Sequence, residues 1–266
     1  MPQIHATAII APGATLADDV VIGPYCVVGR CVELGAGVRL MSHVVVEGRT
    51  TIGEGTRIFP FASLGFEPQD LKYRGEDSSL VIGRNNTLRE YVTMNPGTEG
   101  GGMVTRVGDH GLFMVGVHVA HDCQIGDHVV MANNATLAGH VVVEDFALLG
   151  GLSAVHQFVR IGRHAMIGGM SGVERDVIPY GQVMGDRARL SGLNIIGMQR
   201  HGFSREDIQG LRSAYQFLFS AEGTFNDRVK EAADRFGGIR PVDDMIAFIR
   251  ADSSRAICQP KGPNGG

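Results

Sequence analysis

No stretch of this 266-residue chain approaches eighteen consecutive apolar residues, which leaves no candidate membrane-spanning helix. The N-terminus, MPQIHATAII, lacks the charged segment and apolar core of a secretory leader. Lys and Arg total 24 against 28 Asp and Glu, so a net charge of −4 leaves no cationic excess for a general nucleic-acid binder. The four cysteines (Cys26, Cys31, Cys123, Cys258) form no CxxC pair and read as free thiols in a reducing compartment. There is also no GxSxG elbow and no catalytic-cysteine context, which argues against a covalent enzyme intermediate. These absences lead to the expectation of a cytoplasmic, soluble protein; no metal or cofactor is expected.

What the sequence does have is period. From Ile4 an aliphatic residue returns at every sixth position through Leu64, resumes in phase at Ile82, Leu88 and Met94, then slips by one and runs from Val107 to Val173 with Phe113 as its one aromatic. Four places after each sits something small or β-branched, such as Ala8, Cys26, Ala135 or Ser153, with Asn86 the clearest exception. Glycine, at 38 residues, is about twice its usual share. Hexapeptide periodicity marks a parallel β-helix, in which three short strands make one coil and the aliphatic and small residues fill a narrow prism. No coil can bury those residues alone, so the coils must stack. The 26 hexapeptides make roughly nine coils, and strands about 4.8 Å apart give a prism on the order of 40 Å long.

Two excursions interrupt the repeat, Phe66 to Ser79 and Gly100 to Thr105; the first carries Asp70 and Lys72 and is expected to be functional. After Pro179 the repeat dissolves into a connector rich in Gly and Arg. Ser204 with Asp207, Thr224 with Asp227, and Pro241 then mark three helix starts, each followed by an apolar stripe. The tail QPKGPNGG reads as disordered. The expected organisation is an all-β parallel β-helix over residues 1–185 and a small α-helical domain over 186–266, packed on the prism or on a neighbouring subunit.

Positions eighteen apart lie one above another, which stacks His121, Gly139 and Gln157 in one column. His140 and His156 each stand one residue from it, and His118 three residues before His121, so four of the ten histidines gather along one edge. An imidazole is a competent general base at neutral pH, and a carboxylate on its other N–H fixes the tautomer. Asp122 is the candidate partner, although neighbours on a strand face opposite ways and contact requires a corner.

The segments QDLKY (69–73), AHDC (120–123), MANNATLAGH (131–140), GG-x-SAVHQF (150–158), GG-x-SGV (168–173) and HGFSRE (201–206) stand in this order. In them, and over essentially its full length, the chain resembles the UDP-N-acetylglucosamine acyltransferases that begin lipid A synthesis in Gram-negative bacteria. The resemblance implies a left-handed parallel β-helix and a homotrimer with active sites between neighbouring prisms. It further implies transfer of an (R)-3-hydroxyacyl chain from acyl carrier protein to the 3-position of UDP-N-acetylglucosamine. His121 would then be the general base, Asp122 its partner and the Gly139 N–H the oxyanion donor, while Asp70, Lys72, His118, His140, His156 and Gln157 would contact the sugar nucleotide or the reacting centre. Asn194 and Arg200 would reach the uridine and phosphate end, and Gly169 would set acyl-chain length. Arg187, Arg189, Arg205 and Arg212 are candidates to meet the acidic carrier.

Three positions depart from the family pattern: Asn95 stands where a histidine is frequent, Ile196 replaces a carboxylate, and His201 replaces an arginine. The first leaves open N-acylation of the 3-amino analogue of the sugar. The rivals are the N-acyltransferase of the third lipid A step, expected to carry an N-terminal uridine-binding domain, an acetyl-CoA-dependent sugar acetyltransferase, a zinc-dependent β-helical carbonic anhydrase, and a non-catalytic scaffold.

Overall fold

Hydrogen bonding between residues eighteen apart builds the protein. In the computed structural model, which describes residues 1–220 and 223–261, strands mostly of two residues collect into three sheets of 11, 9 and 8 members, parallel throughout except for the last pair of the first. The first sheet begins at Gln3–Ile4, the second at Ile9–Ile10 and the third at Thr15–Leu16, and each coil contributes one strand to each. The coils wind left-handed, against the usual crossover hand. The turns between sheets recurrently place non-glycine residues at positive φ, as at Tyr25, His43 and Phe61 along one edge, with φ of 58°, 58° and 66°. Such backbone costs roughly 1 kcal/mol or more per residue, and continuous stacking offsets it.

Register brings like onto like. Along the first sheet Ile22, Leu40, Ile58, Leu88, Phe113, Met131, Leu149 and Ile167 pair in sequence, all buried. Each such side chain contributes about 1.5–3 kcal/mol on leaving water. Asn86, the polar exception, is satisfied inside the prism: its amide donates to the Gly108 carbonyl at 2.8 Å and accepts from the Gly111 N–H at 2.7 Å. Both excursions leave between the second and third sheets, and Ser79–Ile82 pairs in register with Arg49–Ile52 below and Val104–Val107 above. The insertion and the phase slip are absorbed in loops, so the ladder continues unbroken.

Past Ile178 the connector is more ordered than its composition suggests. Gly181–Met184 and Arg189–Leu193 form an antiparallel hairpin that prolongs the first sheet. Helices α1 (Ile195–Arg200), α2 (Arg205–Leu218), α3 (Phe225–Phe236) and α4 (Arg240–Arg250) follow. The capping box of Ser204 and Asp207 is formed, Thr224 caps α3, and proline stands in the first turn of α4. The unit packs on its own prism: Tyr180 donates its hydroxyl to Asp244 at 2.6 Å, and the Arg160 guanidinium lies 4.4 Å over the Phe248 ring. The tail read as disordered is in part held, since Gln259 accepts from the Leu190 N–H at 3.1 Å and Pro260 bridges Leu190; residues 262–266 lie outside those described. Among the described residues no helix is long and apolar enough to cross a membrane.

Candidate active site

The edge between the second and third sheets carries most of the predicted site. Asp122 turns this corner at φ 61°, and the left-handed turn brings its carboxylate onto the same side as the preceding imidazole. His121 Nδ1 therefore lies 2.8 Å from Asp122 Oδ2, with both residues about 5% exposed. The carboxylate is held elsewhere too: Thr98 donates its N–H to Oδ1 at 2.9 Å and its hydroxyl to Oδ2 at 2.6 Å. The Asp122 N–H in turn donates to Thr105 Oγ1 at 2.7 Å. With its acceptors engaged in this way, Asp122 takes the imidazole Nδ1–H, and the lone pair is left on Nε2.

Around His121 stand two further imidazoles, a carboxylate and a glycine. His140 crosses His121 edge-on at 4.9 Å and stacks on Phe158 at 4.4 Å. Burial chiefly pulls its pKa down, against the Asp122 charge. His118 is bonded to Thr93 Oγ1 at 2.8 Å, and burial, then the neighbouring His121, lowers its pKa as well. Asp70, delivered by the first excursion, places Oδ2 4.0 Å from His121 Nε2 and accepts the Lys72 N–H. A Cβ on Gly139 would stand 2.5 Å from His121 Nε2, so only glycine lets the ring lie against this backbone. Among the described residues the Gly139 N–H has no hydrogen-bond partner. His156 and Gln157 occupy the next coil, exposed. His121, Asp122 and His140 offer donor atoms within 4.8 Å that could hold a metal ion, but the Asp122 oxygens are engaged by Thr98 and His121.

Three predicted residues lie elsewhere. Asn194 and Arg200 sit beyond the edge between the third and first sheets, where Asn194 caps α1 by accepting the Gly197 N–H and donates to the His164 carbonyl. Gly169 turns the remaining edge beside the exposed Leu152 and Met170, and a Cβ there would meet the Gly151 carbonyl at 3.3 Å. Thr98 was not anticipated: it is a lone hydroxyl next to a glycine run, and only the fold carries it to Asp122, 24 residues on. The glycine run has its own reason, since a Cβ at Gly101 would overlap the Asp122 carboxylate.

A hexapeptide-repeat prism with a histidine and carboxylate at its edge and a helical C-terminal unit defines a β-helical acyltransferase. A family model described as "Udp N-acetylglucosamine O-acyltransferase; Domain 2" matches residues 176–258. The acyl-(acyl-carrier-protein)–UDP-N-acetylglucosamine O-acyltransferase of Caulobacter vibrioides is 54% identical over 259 residues, 97% of this chain and 98% of the relative. Its namesake from Rhizobium johnstonii is 48% identical over 264 residues, 99% of this chain and 97% of the relative. The solved structure of LpxA from Acinetobacter baumannii superposes with a TM-score of 0.91 at 43% identity, covering 96% of this chain and 99% of that one. The chain belongs to the acyl-(acyl-carrier-protein)–UDP-N-acetylglucosamine O-acyltransferase family.

Proposed function

We propose that this protein transfers an (R)-3-hydroxyacyl chain from acyl carrier protein to the 3-hydroxyl of UDP-N-acetylglucosamine, the first step of lipid A biosynthesis, in the cytoplasm. The observation that carries the mechanism is the 2.8 Å contact between His121 Nδ1 and Asp122, which leaves Nε2 free to take a proton. In the first step Nε2 accepts the proton of the sugar 3-hydroxyl while the oxygen attacks the thioester carbonyl. The negative charge developing on the carbonyl oxygen is met by the unpartnered Gly139 N–H, and Asp122 stabilises the imidazolium. Collapse then breaks the carbon–sulfur bond, and the thiolate leaving group of the carrier recovers the proton from Nε2. No bond to the enzyme forms. The lowered pKa values of His118 and His140 suit neighbours that hydrogen-bond a sugar nucleotide without adding positive charge beside the base.

The distribution of site residues over three edges supports a homotrimer. The base, the nucleotide-end pair Asn194 and Arg200, and Gly169 with its apolar neighbours stand on different edges of one prism. A ring of copies sets unlike edges against each other, as a closed heterologous assembly does. The exposed Arg187, Arg189, Arg205 and Arg212 enter no ion pair among the described residues and suit an acidic carrier.

A second acceptor is raised by one position. Asn95 spends its amide nitrogen on the Phe66 and Glu67 carbonyls, at 3.0 and 3.3 Å, and its Oδ1 is buried without a partner. Asn95 thus stands where the family frequently has a histidine, and the 3-amino analogue would be acylated by the same steps to an amide. Purified enzyme with 3-hydroxyacyl carrier protein, offered each sugar separately and read by product mass, tests both. Ester formation on UDP-N-acetylglucosamine is expected, amide formation alone would install the second reading, and transfer to neither would overturn both.

A further inference from the structure

The C-terminal segment returns to the prism and is fixed there by one buried acid. Asp176, fully buried, binds Arg160 through the Arg160 N–H at 2.8 Å and Nε at 2.7 Å and accepts the Ser253 hydroxyl at 2.7 Å. The backbone of Asp176 exchanges bonds with Ala256 and Cys258 at 3.0 and 2.7 Å, and Ser253 Oγ accepts the Arg255 N–H at 3.1 Å. This clamp sets the Arg255 side chain on the catalytic edge, 99 residues away in sequence from its contact.

There its Nε donates to the Gln157 carbonyl at 3.0 Å, and Nη2 lies 2.7 Å from His156 Nδ1. Arginine carries N–H donors and no acceptor, so His156 Nδ1 must be the acceptor and cannot carry a proton. The imidazole is then neutral, with its proton on Nε2. The same Nδ1 also lies 3.3 Å from the Gln157 carbonyl, a contact that would require Nδ1–H. Arg255 excludes that alternative, because its Nη2–H fills the lone pair of Nδ1.

We infer that Arg255 is a positioning residue that locks His156 in the Nε2–H tautomer, making it a fixed hydrogen-bond donor to an oxygen of the sugar nucleotide and not a second base. The inference rests on the proposed function for its substrate, but the tautomer does not. His156 lines an open cleft of about 350 Å³ with Glu174, Arg175, Ser254, Arg255 and Ala256, where a hydroxylated ligand meets the imidazole donor while the Arg255 guanidinium is committed to His156 and Gln157. Removing Arg255 frees the Nδ1 lone pair to take the proton and donate it to the Gln157 carbonyl, which turns Nε2 from donor into acceptor.

The test is two-bond 1H–15N correlation of the full-length, 15N-histidine-labelled protein at pH 8, with His156→Phe assigning the resonance. Arg255→Met keeps the aliphatic stem, Arg255→Lys keeps a donor, and thermal unfolding of each checks folding. Wild type is expected to show a protonated Nε2 and a bare Nδ1, Arg255→Lys to keep that pattern, and Arg255→Met to move the proton toward Nδ1. The KM for the sugar nucleotide should rise about tenfold in Arg255→Met with kcat within about twofold, the loss of one ground-state hydrogen bond. A protonated Nδ1 in wild type, or an unchanged tautomer in Arg255→Met whatever its melting temperature, overturns the lock. A switched tautomer with unchanged KM leaves the lock in place and overturns the placement of His156 in the sugar-nucleotide site.

Discussion

Two edges of the prism carry histidines in columns, and they do opposite things. On the edge between the third and first sheets His110, His128, Phe146, His164 and Tyr180 stack face to face at 4.7–5.4 Å, with His201 and Phe203 set edge-on against the upper rings. On the edge between the second and third sheets, where the proposed base stands, His121 and His140 meet at 89°. The deeper difference is the carboxylate: among the described residues every imidazole in contact with an acid, His121 and His140, stands on that edge. In the stacked column the rings serve as aromatic surface, and burial, then the charges of His201 and Arg163, hold the His164 pKa down to about 4. Histidine density alone therefore does not mark chemistry; an oriented tautomer does.

The comparison is broken most directly at the base. His121→Ala should lower kcat by about 10³–10⁴-fold with little change in melting temperature, whereas His128→Phe on the stacked edge should leave turnover within about twofold. Equal losses in steady-state assays would erase the distinction. Asp122→Asn, which keeps shape but hands His121 the wrong partner, should lose on the order of 10²–10³-fold in kcat with KM nearly unchanged. A loss confined to KM would show that Asp122 binds substrate and does not orient the base. Thr98→Val removes the hydroxyl donor to Asp122 while its N–H remains, and should cost about tenfold in kcat; full activity would show that the Thr98 hydroxyl does not orient Asp122.

The smallest effect belongs to the stacked edge and is one of stability. His164 takes up a proton near pH 6.5 when unfolded but only near pH 4 in the fold, so its contribution is complete above 6.5 and is lost as pH falls toward 4. Allowing for solvent screening, the loss is on the order of 2 kcal/mol. Urea unfolding at pH 7 and pH 4.5 should show a smaller acid penalty in His164→Phe than in wild type. Identical penalties in the two proteins would mean that His164 protonates freely in the fold.

Much of this was readable residue by residue. The sixfold aliphatic period placed the core from Ile22 to Val173, and the eighteen-residue column picked out His121, Gly139 and Gln157. Ser204 and Thr224 announced their helices because capping is a local event. The hairpin at Gly181–Leu193 was not legible, because an antiparallel pair rich in Gly and Arg has no apolar period and owes its strands to the sheet edge it covers. Ile4 and Ile10 keep the sequence pattern yet stay partly exposed, since no coil stacks beneath them.

By itself the sequence determined the prism, its coil length and the edge on which His121 stands, because a strict repeat converts spacing directly into height and face. Three things were decided only in the folded chain: that Asp122 turns toward His121, that Thr98 holds it there, and that Arg255 arrives from the far end to settle the proton on His156. Each depends on a corner dihedral or a long-range closure. Neither leaves a period in the sequence, because a contact between distant residues is fixed by where the intervening chain puts them and not by what those residues are.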